Sequence, residues 1–171
     1  QIRLWGSVGF IVVVVGLGYL FDGLSIGYLP WIVLAFLGLI WLSSLTVSEP
    51  PKALVEVESS KGFVEYLKSK VVVCFLLSAF FLQVSHGSYY TFYSVYLEAL
   101  SYSRHAIGIL WGLGVVAEVL IFLVMHRLIR QIGLRVLLIL TLAVTVLRWW
   151  LIDCFPEQLS ILLLAQLLHA F

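Results

Sequence analysis

Six apolar runs leave this chain little choice of fold: Leu4–Phe21, Tyr28–Val47, Val71–Leu97, Ala106–Met125, Val136–Ile152 and Leu159–Phe171. A helix needs about 20 such residues to cross the hydrocarbon core of a bilayer, so the runs amount to five crossings and part of a sixth. Inside lipid each segment must satisfy its own backbone N–H and C=O groups, which makes every run a helix. Composition agrees. Hydrophobic residues are 63% of the 171 and charged residues 11%, too little polar surface to keep a globule dispersed in water. The expectation is an all-α, polytopic membrane helical bundle embedded in a lipid bilayer. With a net charge of +1 and no basic stripe, nucleic acid is not an expected partner.

The joints between runs are short and punctuated: Asp22-Gly23 with Ser25 and Gly27, Ser101–His105, His126–Arg135, and Asp153–Glu157 with Pro156. Short joints make neighbouring helices antiparallel. The exception is Ser48–Lys70, which opens Ser-Glu-Pro-Pro and carries Glu49, Glu56, Glu58 and Glu65 among Lys52, Lys61, Lys68 and Lys70. It reads as a linker. Its second half sets Phe63, Val64 and Leu67 on one side of a short helix suited to the membrane surface, and its first half reads equally well as a solvated tether.

Sorting the basic residues by loop puts Arg3, the four linker lysines, Arg127, Arg130 and Arg135 on one side and Arg104 alone on the other. The positive-inside rule then places residue 1, the linker and the Arg127–Arg135 loop in the cytoplasm, and Asp22, Arg104, Asp153 and Glu157 outside. The first run is too long for a signal peptide and lacks a small-residue cleavage site. The chain has no initiator Met, opens directly onto an apolar run and stops at Phe171 inside another, so further helices of the same polypeptide are expected as partners. Cys74 and Cys154 fall on opposite sides of the membrane in this topology and are not expected to pair.

Three runs each enclose one titratable group: Glu118, Arg148 and His169. A carboxyl group at the bilayer centre costs at least about 2.5 kcal/mol and commonly marks a substrate or proton path. On a helix, Trp111, Val115 and Glu118 share one face; Thr141, Thr145 and Arg148 share another, as do Gln166 and His169. At about 1.5 Å per residue, Glu118 and His169 lie roughly 18 Å below the outer ends of their spans, and the Arg148 side chain reaches down from about 8 Å. Two readings stay open. One is a buried Glu118–Arg148 ion pair that fixes helix register; the other is proton exchange, to which an imidazole at similar depth is suited.

The third run contributes His86, Tyr89, Tyr90, Tyr93 and Tyr96. Tyr96 belongs to an interfacial aromatic belt. His86, Tyr89 and Tyr90 lie deeper and are expected to line a substrate cavity, where Tyr89 and Tyr90 next to Trp111 give an amphipathic wall that can stack on a ring and bond to it. Arg148 is the one cation at membrane depth, the natural place for a substrate carboxylate. No metal is expected, because His86 and His169 lack i, i+4 partners of ligand type. No Gly-x-Ser-x-Gly, phosphate loop or dinucleotide fingerprint is present, so neither an enzyme nor a cofactor is expected.

These residues also carry a resemblance. Arg3-Leu4-Trp5-Gly6-Ser7-Val8-Gly9-Phe10 resembles the start of the fifth helix in the lactose permease and phenylpropionate permease branches of the major facilitator superfamily. His86-Gly87-Ser88-Tyr89-Tyr90-Thr91-Phe92 resembles the seventh helix of the phenylpropionate permease type and Leu110–Val119 its eighth, while Leu147-Arg148-Trp149 and Gln166-Leu167-Leu168-His169 are similar to the ninth and tenth. The resemblance implies that 1–47 are the last two helices of an N-terminal six-helix half, 48–70 the central cytoplasmic loop, and 71–171 the first four helices of the C-terminal half. It implies a proton-coupled symporter of the cell (inner) membrane in which Glu118, Arg148 and His169 serve substrate binding and coupling. The expected partners are protons and a small organic solute, first an aromatic acid such as phenylpropionate. A sugar or nucleoside symporter, or a non-transporting truncated membrane protein, is the alternative.

Overall fold

The computed structural model describes residues 2–47 and 67–170, with side chains from residue 4. They form α1 (Ile2–Gly23), a 3-10 turn (Ile26–Tyr28), α2 (Leu29–Ser44), α3 (Lys70–Ala99), α4 (Arg104–Ile132), α5 (Leu134–Cys154), α6 (Leu159–Leu167) and a last 3-10 turn (Leu168–Ala170). Five of these helices are long and apolar enough to cross a membrane, and the segment Leu159–Ala170 is a shorter apolar one. The described residues contain no strand, and the protein is a polytopic all-α membrane protein. Apart from residues 67–70, the expected linker, with the surface helix expected in its second half, lies outside the described residues.

Each joint has a local cause. Ser25 caps the first 3-10 turn by accepting from the Gly27 N–H at 3.3 Å, and Pro30 sits in the opening turn of α2, where its missing N–H costs nothing. α3 is closed by Ser101 at φ 65°, a left-handed residue that lets the Tyr102 N–H reach back to the Leu97 carbonyl at 3.1 Å. The Tyr102 hydroxyl donates to the Pro156 carbonyl at 2.9 Å and so ties this joint to the one between α5 and α6. Desolvation and then the nearby Glu157 charge push the Tyr102 hydroxyl above its ordinary pKa, which keeps it a donor.

The joint expected over His126–Arg135 is a correction. α4 continues as helix to Ile132, and the turn to α5 is made at Gly133, whose φ of 77° a side chain would strain. The reason is electrostatic as much as steric: Arg127 and Arg130 ride the last turns of α4, where a cation favours the helix C-terminus and its stem can lie along apolar surface.

The chain divides into two compact units, Gln1–Leu24 with Gly87–Phe171, and Ser25–His86. In the second, α2 buries no residue and is apolar all round. In the first, α1 packs along α4 through glycines. A Cβ on Gly108 would meet the Val14 carbonyl oxygen at 2.8 Å, and one on Gly18 would meet that of Arg104 at 2.8 Å, while Gly112 would touch the Val15 side chain at 3.0 Å. Without a hydrophobic force between helices in lipid, such close backbone approach is what holds a pair together. Gly6, Gly9 and Gly16 face open space among the described residues.

One end of this seam carries a polar clasp. The Asp22 carboxylate accepts from the Arg104 N–H at 2.9 Å and the His105 N–H at 3.4 Å and pairs with His105 Nδ1. Arg104 gives Nη1 to the Phe21 carbonyl at 2.8 Å, and Nε and Nη2 to Glu98 at 3.1 and 2.8 Å. The core of the same unit gathers Tyr89, Tyr93 and Leu97 from α3, Ile107 and Leu110 from α4, Ile152 from α5, and Leu162 and Ala165 from α6.

Candidate functional site

Arg148 stands on the inner face of α5 and is 1% exposed. Its Nη1 donates to His169 Nδ1, its Cζ lies 4.5 Å from the Tyr89 ring centre and 5.7 Å from that of Trp149, and Nε and Nη2 have no partner among the described residues. A buried guanidinium with two idle donors is costly, and the aromatic faces offset only part of that cost. Nε and Nη2 form the edge of the planar fork that binds a carboxylate in bidentate fashion.

His169, in the 3-10 turn after α6, is the bridge. Arginine can only donate, so in this contact Nδ1 accepts and Nε2 is left to carry the ring hydrogen. That Nε2 faces Glu118 Oε1 at 3.1 Å. The result is a contiguous chain from Glu118 through His169 to Arg148. The direct Glu118–Arg148 pair that the sequence allowed is absent, because the imidazole occupies the space between them. Glu118 is the accessible end, with its side chain 43% exposed.

Glu118 and His169 open onto a cleft of about 1120 Å³, lined also by Tyr90, Trp111, Val115 and Phe122, with Leu4, Gly6, Ser7 and Phe10 contributed by α1. The helical face read from Trp111, Val115 and Glu118 is therefore the face that meets the cleft. Tyr90 and Trp111 stack at 5.7 Å with their planes 17° apart, and the Trp111 indole is fixed by a 2.9 Å bond from Nε1 to Ser94. Tyr89 and Arg148 are fully covered and lie behind that wall. His86 belongs to the other compact unit, where its Nδ1 donates to the Leu82 carbonyl at 2.9 Å.

Three supporting residues stand outside the expected site set, although Gln166 and Tyr93 share its helical faces. Gln166 is fully buried, accepting from the Tyr89 hydroxyl at 2.7 Å and donating to the Tyr93 hydroxyl at 2.6 Å. Tyr93 and Ser94 complete the set. The signal for two of them was present: Tyr93 follows Tyr89 by one turn, and Gln166 precedes His169 by one.

The whole chain, residues 1–171, matches the model of the MFS_1 like family. It is 34% identical over 173 residues to the Probable 3-phenylpropionic acid transporter of Escherichia coli (strain K12), covering 99% of this chain and 45% of that protein. It is 29% identical over 160 residues to the Uncharacterized transporter YwbF of Bacillus subtilis (strain 168), covering 91% of this chain and 39% of that protein. The chain thus spans less than half the length of these curated relatives. No solved structure matches it.

Proposed function

Because the chain belongs to the MFS_1 like family of the major facilitator superfamily, we propose that it is part of a proton-coupled symporter of a small organic acid in the cell (inner) membrane, with an aromatic acid such as phenylpropionate as first substrate. In this reading residues 1–47 end the N-terminal half, 48–70 are the cytoplasmic loop, and 71–171 begin the C-terminal half. The observation that carries it is Arg148, buried at 1% exposure with two idle donors and linked through His169 to an acid on the cleft wall. The printed name of the Escherichia coli relative supports the substrate class.

Charge balance explains why protons and acid would travel together. Arg148 and Glu118 cancel across a neutral His169, so a carboxylate entering alone leaves a net negative charge in a desolvated site. A proton taken up by Glu118 at the cleft surface restores balance. It also removes the anion that holds Nε2 of His169, and the imidazole can then leave Nη1 and yield the guanidinium to the substrate. Tyr90 and Trp111 receive the ring. The two helical halves would rock about this midplane site.

The direct test compares binding of phenylpropionate and of a disaccharide to the full-length protein and to Arg148→Gln. The acid should bind, and binding should fall roughly 100-fold in the variant, the scale of removing one partner of a desolvated charge pair. Equal binding without the arginine would hand the site to a sugar or nucleoside. For the topology, a cysteine replacing Arg104 should react with an impermeant reagent from outside and one replacing Lys61 should not.

A further inference from the structure

Gln166 has no part in the scheme above, yet it is among the most enclosed polar groups of its unit. Two tyrosines one turn apart on α3 hold the two ends of its amide, which is carried by α6. The directions are fixed. Nε2 can only donate, so the Tyr93 oxygen accepts at 2.6 Å, and the Tyr89 hydroxyl donates to Oε1 at 2.7 Å. α4 makes room for this: a Cβ on Gly114 would come within 3.1 Å of Gln166 Oε1 and 3.4 Å of His169 Cδ2. The amide therefore pins the Tyr89 ring at its far end. That ring bears the Arg148 guanidinium on its face at 4.5 Å and abuts Trp111 and His169 with ring centres 4.8 and 4.9 Å apart.

We propose that Gln166 is a positioning residue that sets substrate selectivity: by fixing Tyr89 it fixes the plane in which Arg148 presents Nε and Nη2, and so selects acids by the spacing between carboxylate and ring. The selectivity half rests on the reading of Arg148 as the substrate's anchor. Gln166 acts through Tyr89 and Arg148 and touches no substrate. A planar fork held on a pinned ring accepts a carboxylate from one direction only. An acid whose chain is one methylene too short or too long then cannot fill both the fork and the Tyr90–Trp111 stack.

The test uses full-length protein and has two readouts. The first needs no substrate: modification of Arg148 by phenylglyoxal, located by peptide mass spectrometry, in wild type, Gln166→Leu, Tyr89→Phe and the double variant. The second is KM and Vmax for phenylacetate, phenylpropionate and phenylbutyrate. Releasing both ends of the amide should speed Arg148 modification about tenfold and raise KM for the preferred acid about tenfold, with Vmax within about twofold. Arg104 modification should not change, and the preference among the three acids should shrink. The double variant should be no worse than the worse single one, since both act on one array. Gly114→Ala, which presses on the amide without removing a polar group, should move the preference the same way by less. An unchanged Arg148 rate, an equal KM rise for all three acids, or additive effects would each overturn the proposal. If Gln166→Leu fails to reach the membrane, the isosteric Tyr89→Phe decides alone on the same criteria. If wild type takes up none of the acids while Arg148 modification still responds, the aromatic-acid reading falls and the positioning role stands.

Discussion

Arg104 and Arg148 carry the same group and are treated in opposite ways. Arg104 commits Nε, Nη1 and Nη2 to Glu98 and the Phe21 carbonyl while its side chain stays 33% exposed. Arg148 is 1% exposed, makes one bond to an imidazole and leaves Nε and Nη2 idle. Water could replace any bond that Arg104 lost, so its saturation adds little stability. Among the described residues nothing bonds the Arg148 Nε and Nη2, and a desolvated guanidinium with unmade hydrogen bonds is costly. Saturated donors at a surface suit a fastener; the unmade bonds of Arg148 are what the proposed substrate contact would use.

The sharpest way to break this comparison is to neutralise each arginine in turn. Arg148→Gln should cost roughly 100-fold in phenylpropionate affinity and Arg104→Gln less than about threefold, by equilibrium binding to the purified full-length protein. Comparable losses would mean that burial and idle donors do not distinguish the two roles. Next in size is Glu118→Gln, which keeps shape and removes charge. Uphill accumulation in energised vesicles should drop at least about tenfold while expression stays within about twofold. A variant that still concentrates substrate would make the Glu118–His169 contact a matter of helix register.

The packing that carries the clasp gives a smaller contrast. Gly108→Ala should destabilise the protein by about 1–3 kcal/mol in detergent unfolding, because the added methyl meets backbone that cannot turn aside. Gly6→Ala should stay within about 0.5 kcal/mol, the range for a substitution into open space. The smallest effect belongs to the clasp's ion pair: Glu98→Gln should cost about 0.2–1 kcal/mol and less still at high salt.

Much of this was legible in the sequence for one reason: lipid imposes helix on any long apolar run, so counting residues between charges located α1 to α5 within a few residues, except at the end of α4. Residue spacing also gave the cleft face of α4, since Trp111, Val115 and Glu118 repeat at helical period. What spacing cannot supply is order along a contact. Glu118, Arg148 and His169 were recognisable as a group, but that His169 stands between the other two depends on how α5 and α6 pack beside α4. Tyr89 and Tyr90 are neighbours of equal chemistry, and only the packing buries the first and sets the second on the wall. Nothing in the sequence sets Gly6, Gly9 and Gly16 apart from Gly18 and Gly108, because a glycine records permission to approach and not the partner. The charges over His126–Arg135 suggest a loop in the sequence, whereas basic residues suit the final turns of α4, which runs to Ile132.

The seam between α1 and α4 has a mechanical property of its own. Ordinary helix pairs interlock, each side chain seated between ridges of its neighbour, and sliding requires every one to climb out and drop into the next gap. Where Gly108 meets the Val14 carbonyl and Gly18 meets that of Arg104, there are no such teeth. Pulling these helices apart forfeits close contact along the whole line. Along this line cohesion comes mostly from main-chain atoms in direct contact, with the Val15 side chain on Gly112 the one close side-chain seat among the glycines of the seam.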